Sequence, residues 1–221
     1  MSELERLYRA LEGEYGDLRW WPADTDFEVA LGAILTQNTS WKNVESVLDN
    51  LRDHGLLSPD SLEKMKPAEL APLIKSSGYY NQKAVRVIRF TRWLADFAGG
   101  SMENLADYST EELRRELLSI RGIGPETCDD ILLYALDRPV FVVDSYTFRI
   151  AFRHGLIPPD VGYDELSSLF ACSLPANVDI FKNFHACLVE VGKTYCKKKG
   201  PLCENCPARI TLNGNPPREP I

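Results

Sequence analysis

Apolar side chains at helical spacing along most of the chain are the strongest constraint on its fold. Phe27, Ala30, Leu31, Ile34 and Leu35 recur at i, i+3, i+4, i+7 and i+8; the polar run "TQNTS" interrupts, and Val44, Val47, Leu48 and Leu51 resume the pattern. That spacing sets one apolar stripe on each of two helices joined by a short turn. Ser109 and Glu112 form a capping box that opens a helix carrying Leu113, Leu117 and Ile120. Cys128, Ile131, Leu132 and Ala135 mark the next apolar face. A further helix is expected over 178–192, with Phe181, Phe184, Leu188 and Val191 inward and Gly192 as its stop. Only "VFVV", before Asp144, reads as extended, and no segment reads as a sheet. The expected class is all-α.

With 221 residues, 44% hydrophobic and 26% charged, the chain has the composition of an ordinary folded protein with a substantial core. No apolar run approaches the roughly 20 residues that span a bilayer, so no membrane partner is expected. "MSELERLYRALEGEYG" interleaves charges with Leu4, Leu7 and Leu11, unlike a secretory signal. A cytoplasmic, nucleoid-associated location and six reduced cysteines are expected. The net charge of −7 gives no hint of a nucleic-acid partner, which would have to be met by local charge. Lys83, Arg86, Arg89 and Arg92, with Lys193, Lys197, Lys198 and Lys199, are candidates to supply it.

"SIRGIGPETCDDILLYAL", residues 119–136, breaks an otherwise continuous helix with two glycines and a proline. Glycines let the backbone approach another surface, and the N–H groups of the turn and of the next helix's first turn point outward, as a phosphate requires. Pro125 suits a first helical position, where its missing N–H is not needed. The plainer alternative is an αα-hairpin that uses "GIG" only to turn a corner. Asp144 follows the extended run and precedes a helix. A carboxylate there can stabilise the positive sugar that forms as a glycosidic bond breaks, or orient a water. It is also a preferred N-cap residue, and the two roles are compatible.

"ILTQNTSWKNV", "GYYNQKA", "IRGIGPET", "FVVDSYTFRI" and "FHACLVEVGKTYC" occur in the order found in the helix-hairpin-helix DNA glycosylases of the endonuclease III superfamily, which the chain resembles from about Trp20 to Cys206. The resemblance implies two helical lobes: a six-helix barrel over 25–137, and a second lobe from 1–24 and 138–221. It implies a catalytic Asp144, a phosphate-gripping hairpin at Gly122, Ile123, Gly124 and Thr127 with a possible monovalent cation, and Gln37 as the side chain that fills the gap left by a flipped-out nucleotide. Endonuclease III itself has a lysine where Glu126 stands, and that amine forms a Schiff base and allows strand cutting. Glutamate cannot do so, which implies a monofunctional glycosylase; alternatively Glu126 simply favours the helix dipole. "WWP", the turn ending in Trp41 and "GIGPET" most resemble bacterial 3-methyladenine glycosylases. Trp20, Trp21, Trp41 and Glu126 are then the base pocket, and an alkylated purine stacking on indole is the substrate. Mismatched or oxidised bases compete, and the tryptophans can instead be packing residues.

Cys196, Cys203 and Cys206 are spaced C-x6-C-x2-C, the first three ligands of the family's [4Fe–4S] loop, but Leu212 stands where the fourth is expected. A cluster with an outside ligand, a zinc ion with His185 or another donor, and no metal all remain open. Cys128, Cys172 and Cys187 are expected as buried small hydrophobes. The partner expected is duplex DNA with a damaged base, bound by a monomer; the alternative to an enzyme is a non-catalytic lesion sensor, which has no need of Asp144.

Overall fold

The protein, seen in a computed structural model that describes residues 1–18, 21 and 23–219, contains helices and no strand among those residues. It divides into two compact units: one comprises Met1–Trp20 and Pro139–Ile221, the other Trp21–Arg138. α1 (Glu3–Tyr15) belongs to the first. The second holds α2 (Asp26–Leu35), α3 (Trp41–Asp53), α4 (Pro59–Glu63), α5 (Pro67–Leu70), α6 (Tyr80–Ala98), α7 (Thr110–Ser119) and α8 (Pro125–Asp130). α9 (Ser145–Arg153), α10 (Tyr163–Cys172) and α11 (Val178–Thr194) return to the first. No helix among the described residues is long and apolar enough to cross a membrane.

In the Trp21–Arg138 unit, α2 is the hub. Every residue from Phe27 to Leu35 is buried, and the helix packs against α3, α6 and α8. The charge it carries inward, Glu28, is 5% exposed and pairs with Arg52 at 3.1 Å. Burying each large apolar side chain contributes about 1.5–3 kcal/mol, so a helix apolar all round belongs at the centre. The Ser109–Glu112 capping box opens α7 with both reciprocal bonds made. α8 begins with Gly124 as N-cap and Pro125 at its first position, then runs into a single π-helical stretch, Ile131–Ala135. That segment has no one apolar face: Asp129, Asp130, Leu133 and Tyr134 are buried along with Cys128, Ile131, Leu132 and Ala135.

The other unit is held by aromatic packing. Phe141, from the extended run, stacks on Phe170 at 4.6 Å and meets Phe181 and Phe184 edge-on at 5.6 Å. α1 joins through Tyr8, 5.2 Å from Phe184. Two expectations fail here. Gly192 does not stop α11, which continues to Thr194; its missing side chain makes room for Tyr146, whose Cδ1 would lie 2.2 Å from a Cβ. Cys172 is exposed on the last turn of α10, because Leu166 and Phe170 define the buried stripe and Cys172 falls outside it.

Candidate active site

The hairpin is built from the end of α7 and the start of α8. Ile123 donates its N–H to the Ile120 carbonyl at 3.0 Å and is itself buried, anchoring the turn, while Gly122 sits at φ +106°, where side chains are strained. Gly124 caps α8 without a side chain, so no N-cap oxygen occupies the N–H groups of its first turn. A Cβ on Gly124 would meet nothing within 4 Å. Glu126 is exposed in this first turn, where a negative charge suits the helix dipole.

Gln37 is brought to the hairpin from the loop after α2. Its Nε2 donates to Thr127 Oγ1 at 2.6 Å, and Arg86 Nη1 donates to its Oε1. Lys83 is not a surface charge: it is 1% exposed and donates to the Leu35 carbonyl at 2.8 Å and the Ser77 carbonyl at 2.6 Å. Burial, with Arg86 nearby, pulls its amine down to about 8. Arg89 donates to the Arg121 carbonyl at 3.0 Å, and Arg92 to the Met65 carbonyl at 3.3 Å. Much of the basic run of α6 therefore braces backbone. Lys83 also ties the stretch before Gln37 to the stretch before Tyr79, a residue that sequence reasoning missed. Tyr79 is 67% exposed in a left-handed conformation at φ +45°, offering a ring on which a base can stack. The tyrosine following Gly78 in "GYY" was the available signal.

Trp21 and Trp41 meet edge-on at 5.3 Å, and Trp21 lies 4.7 Å from Tyr134. Trp20 lies outside the described residues. Trp21 has a backbone φ of +82°, uncommon for a bulky residue. Gly32 lies under both indoles: a Cβ there would be 3.0 Å from Trp21 Nε1 and 3.2 Å from Trp41 Cη2. A glycine inside an apolar helix costs about 1 kcal/mol against alanine, which was a legible hint of such packing. Tyr134 depends on the π-helical stretch, which spacing does not reveal.

Asp144 is the N-cap of α9. Thr147 donates to Oδ1 twice, from its N–H at 2.7 Å and its hydroxyl at 2.9 Å. That leaves Oδ2 outside the cap, 3.9 Å from His185 Nε2. Burial pushes the imidazole below its usual range, against the opposing pull of Asp144 and with the help of Lys193.

Cys196, Cys203 and Cys206 line one small cavity with Arg153, His154 and Leu212. Arg153 Nη1 lies 3.3 Å from Cys196 Sγ and donates to the Lys197 carbonyl at 2.6 Å. His154, rather than His185, is the histidine at this cavity. Among the described residues no group of three or more His, Cys, Asp or Glu is placed to hold a metal ion. The donor set does not fit a four-thiolate cluster: the apolar Leu212 lines the cavity at the position of the missing ligand.

A family model described as HhH-GPD superfamily base excision DNA repair protein matches residues 31–175. A provisionally named DNA repair glycosylase of Methanocaldococcus jannaschii is 46% identical over 205 residues, 92% of this chain and 93% of that one. Endonuclease III of Thermotoga maritima is 32% identical over 187 residues, covering 83% and 81%. Among solved structures, the H. pylori 3-methyladenine DNA glycosylase bound to 1,N6-ethenoadenine is similar with a TM-score of 0.72 and 29% identity, over 87% of this chain and 98% of that one.

Proposed function

The chain belongs to the HhH-GPD superfamily of base excision DNA repair proteins, and from that premise we propose that it is a monofunctional DNA glycosylase acting on alkylated purines such as 3-methyladenine in duplex DNA. The observation that carries this reading is Asp144: one carboxylate oxygen is committed to the cap of α9, and the other is left over. A carboxylate held still by its own helix costs no reorganisation when positive charge develops at the sugar. As the C1′–N bond breaks, the base departs with the bonding pair. Water then forms the new C1′–O bond, and its proton passes to the carboxylate and on to solvent.

Two features narrow the chemistry. Glu126 occupies the hairpin position and carries no nucleophilic amine, so water is the nucleophile and the abasic strand stays intact. Lys83, although lowered to about 8, holds two buried carbonyls and does not take over. The faces of Trp21 and Trp41 suit an electron-deficient methylated purine, whose weakened glycosidic bond asks little further activation. The similarity to the H. pylori protein supports the same substrate class. Gln37 fills the vacated position in the duplex, and the hairpin N–H groups hold a phosphate.

Duplex oligonucleotides, each with one lesion, test the reading under single turnover. Excision of 3-methyladenine without strand cutting and without a borohydride-trapped adduct is expected. A trapped adduct would overturn the monofunctional assignment, and faster excision of an oxidised or mismatched base would overturn the substrate.

A further inference from the structure

We propose that Arg86 is a positioning residue that locks Gln37 to the hairpin turn, so that the amide entering the duplex and the turn holding the backbone act as one preorganised piece. This rests on the reading of Gln37 given above.

The two glycines of "GIG" do different jobs. The aliphatic stem of Arg86 lies directly on Gly122: a Cβ there would be 2.8 Å from Arg86 Cγ, 3.1 Å from Nε and 3.3 Å from Cδ. Gly122 is therefore required twice, by its φ of +106° and by the arginine laid across it. Gly124 faces open space and is the glycine left for an outside ligand. Gly122 thus has a role inside the protein beside the one the sequence reading expects of both glycines.

Beyond Gly122 the guanidinium reaches the Gln37 amide. Arginine only donates, so the amide oxygen must face it and the amide nitrogen must turn away. That nitrogen donates to Thr127 Oγ1 at 2.6 Å, on a residue 4% exposed in the first turn of α8. One side chain thus sets both the position of Gln37 and the sense of its amide, and it does so while clamped on the turn. Arg89, one helical turn further along α6, braces the same turn through the Arg121 carbonyl. A glutamine on a free loop would be ordered only on meeting DNA, and fixing it beforehand moves that entropy loss out of the binding step.

A duplex carrying a tetrahydrofuran abasic analogue, with 2-aminopurine beside it to report gap filling, tests the link apart from excision. Arg86→Met keeps the stem on Gly122 and removes the donors. Arg86→Met and Gln37→Ala should each weaken binding about tenfold with loss of the gap-filling signal, and the double variant should be no worse than Gln37→Ala alone. Arg86→Lys, which retains a donor, should recover part of the signal, and it serves the test if Arg86→Met melts below the assay temperature. Losses that multiply in the double variant would overturn the proposal, because Arg86 would then be an independent phosphate contact. So would an Arg86→Met protein that fills the gap normally while Gln37→Ala does not. A Gln37→Ala protein that behaves as wild type would instead remove the reading of Gln37, and the inference with it.

Discussion

The surroundings of Asp144 and those of Gln37 are built in opposite ways. Asp144 is set by residues within four positions of it: the carboxylate caps α9 through Thr147, and the distant His185 only looks on at 3.9 Å. Gln37 is set by Arg86 from α6 and Thr127 from α8, and Lys83 staples the base of its loop. A locally built group merges a structural role with a chemical one, so a careless substitution removes both. A group assembled from afar can be released one brace at a time. The difference decides which substitutions are informative.

Asp144 is expected to give the largest effect. Asparagine is as good an N-cap as aspartate, and its amide oxygen can still accept from Thr147. Asp144→Asn should therefore leave the melting temperature nearly unchanged while excision falls about 1,000-fold, on the scale of removing a main electrostatic stabiliser. Asp144→Ala should lose excision equally and about 1 kcal/mol of stability besides. Single-turnover assays beside melting curves separate the two, and full excision by Asp144→Asn would end the catalytic assignment.

Lys83 sharpens the other side of the comparison. Its folded pKa of about 8 lies below the ordinary lysine value of 10.5, so between those pH values the unfolded chain binds more protons and stability rises with pH. The full gain is about 3 kcal/mol, complete near pH 10.5 and absent below about 8. Buried Cys206, raised to about 11, and Cys128 and Cys187, raised to about 12, act in the opposite sense at alkaline pH. The measurement is therefore a difference: denaturant unfolding of wild type and Lys83→Met from pH 7 to 10.5. Wild type should gain stability relative to Lys83→Met as the pH rises from about 8 to 10.5, and a difference that does not change with pH would show that the amine is not perturbed.

How far the chain could be read in advance follows the same division. The Ser109–Glu112 capping box, Pro125 at the start of α8 and Asp144 at the start of α9 depend on neighbours within a turn, and spacing alone located them. The inward duties of Lys83 and Arg86 and the contact of Gly192 with Tyr146 depend on residues tens of positions away. No local pattern encodes those. Glycines proved the most misleading residues, because the same absence of a side chain serves a helix stop, a positive φ or a close neighbour, and only packing tells which.

The aromatic cluster lies between the two extremes, and here the expected effects are smaller. Trp21→Ala should slow excision by about 1–3 kcal/mol if its ring stacks on the extruded base, and Trp21→Phe by much less, since a π-face remains. A purely structural tryptophan would instead lose about 3–5 kcal/mol of stability on truncation, with the activity of the folded fraction unchanged.

Gly32→Ala is the mildest and most discriminating probe of that cluster. Alanine gains about 1 kcal/mol of helix propensity in the middle of α2. Against this, the new Cβ would stand 3.0 Å from Trp21 Nε1 and 3.2 Å from Trp41 Cη2, so the indoles must give by a few tenths of an ångström. Trp21 sits outside any helix and Trp41 at the first position of α3, so both have room to shift without breaking an element. The two contributions should nearly cancel in stability. They should not cancel in excision: a misplacement of 1 Å costs on the order of 100-fold in rate, so a shift of a few tenths should slow 3-methyladenine release by a few-fold up to about tenfold. A melting temperature close to wild type with slowed excision would place the indoles against the substrate. A lowered melting temperature with unchanged excision by the folded protein would make them packing residues and withdraw the preference for alkylated purines.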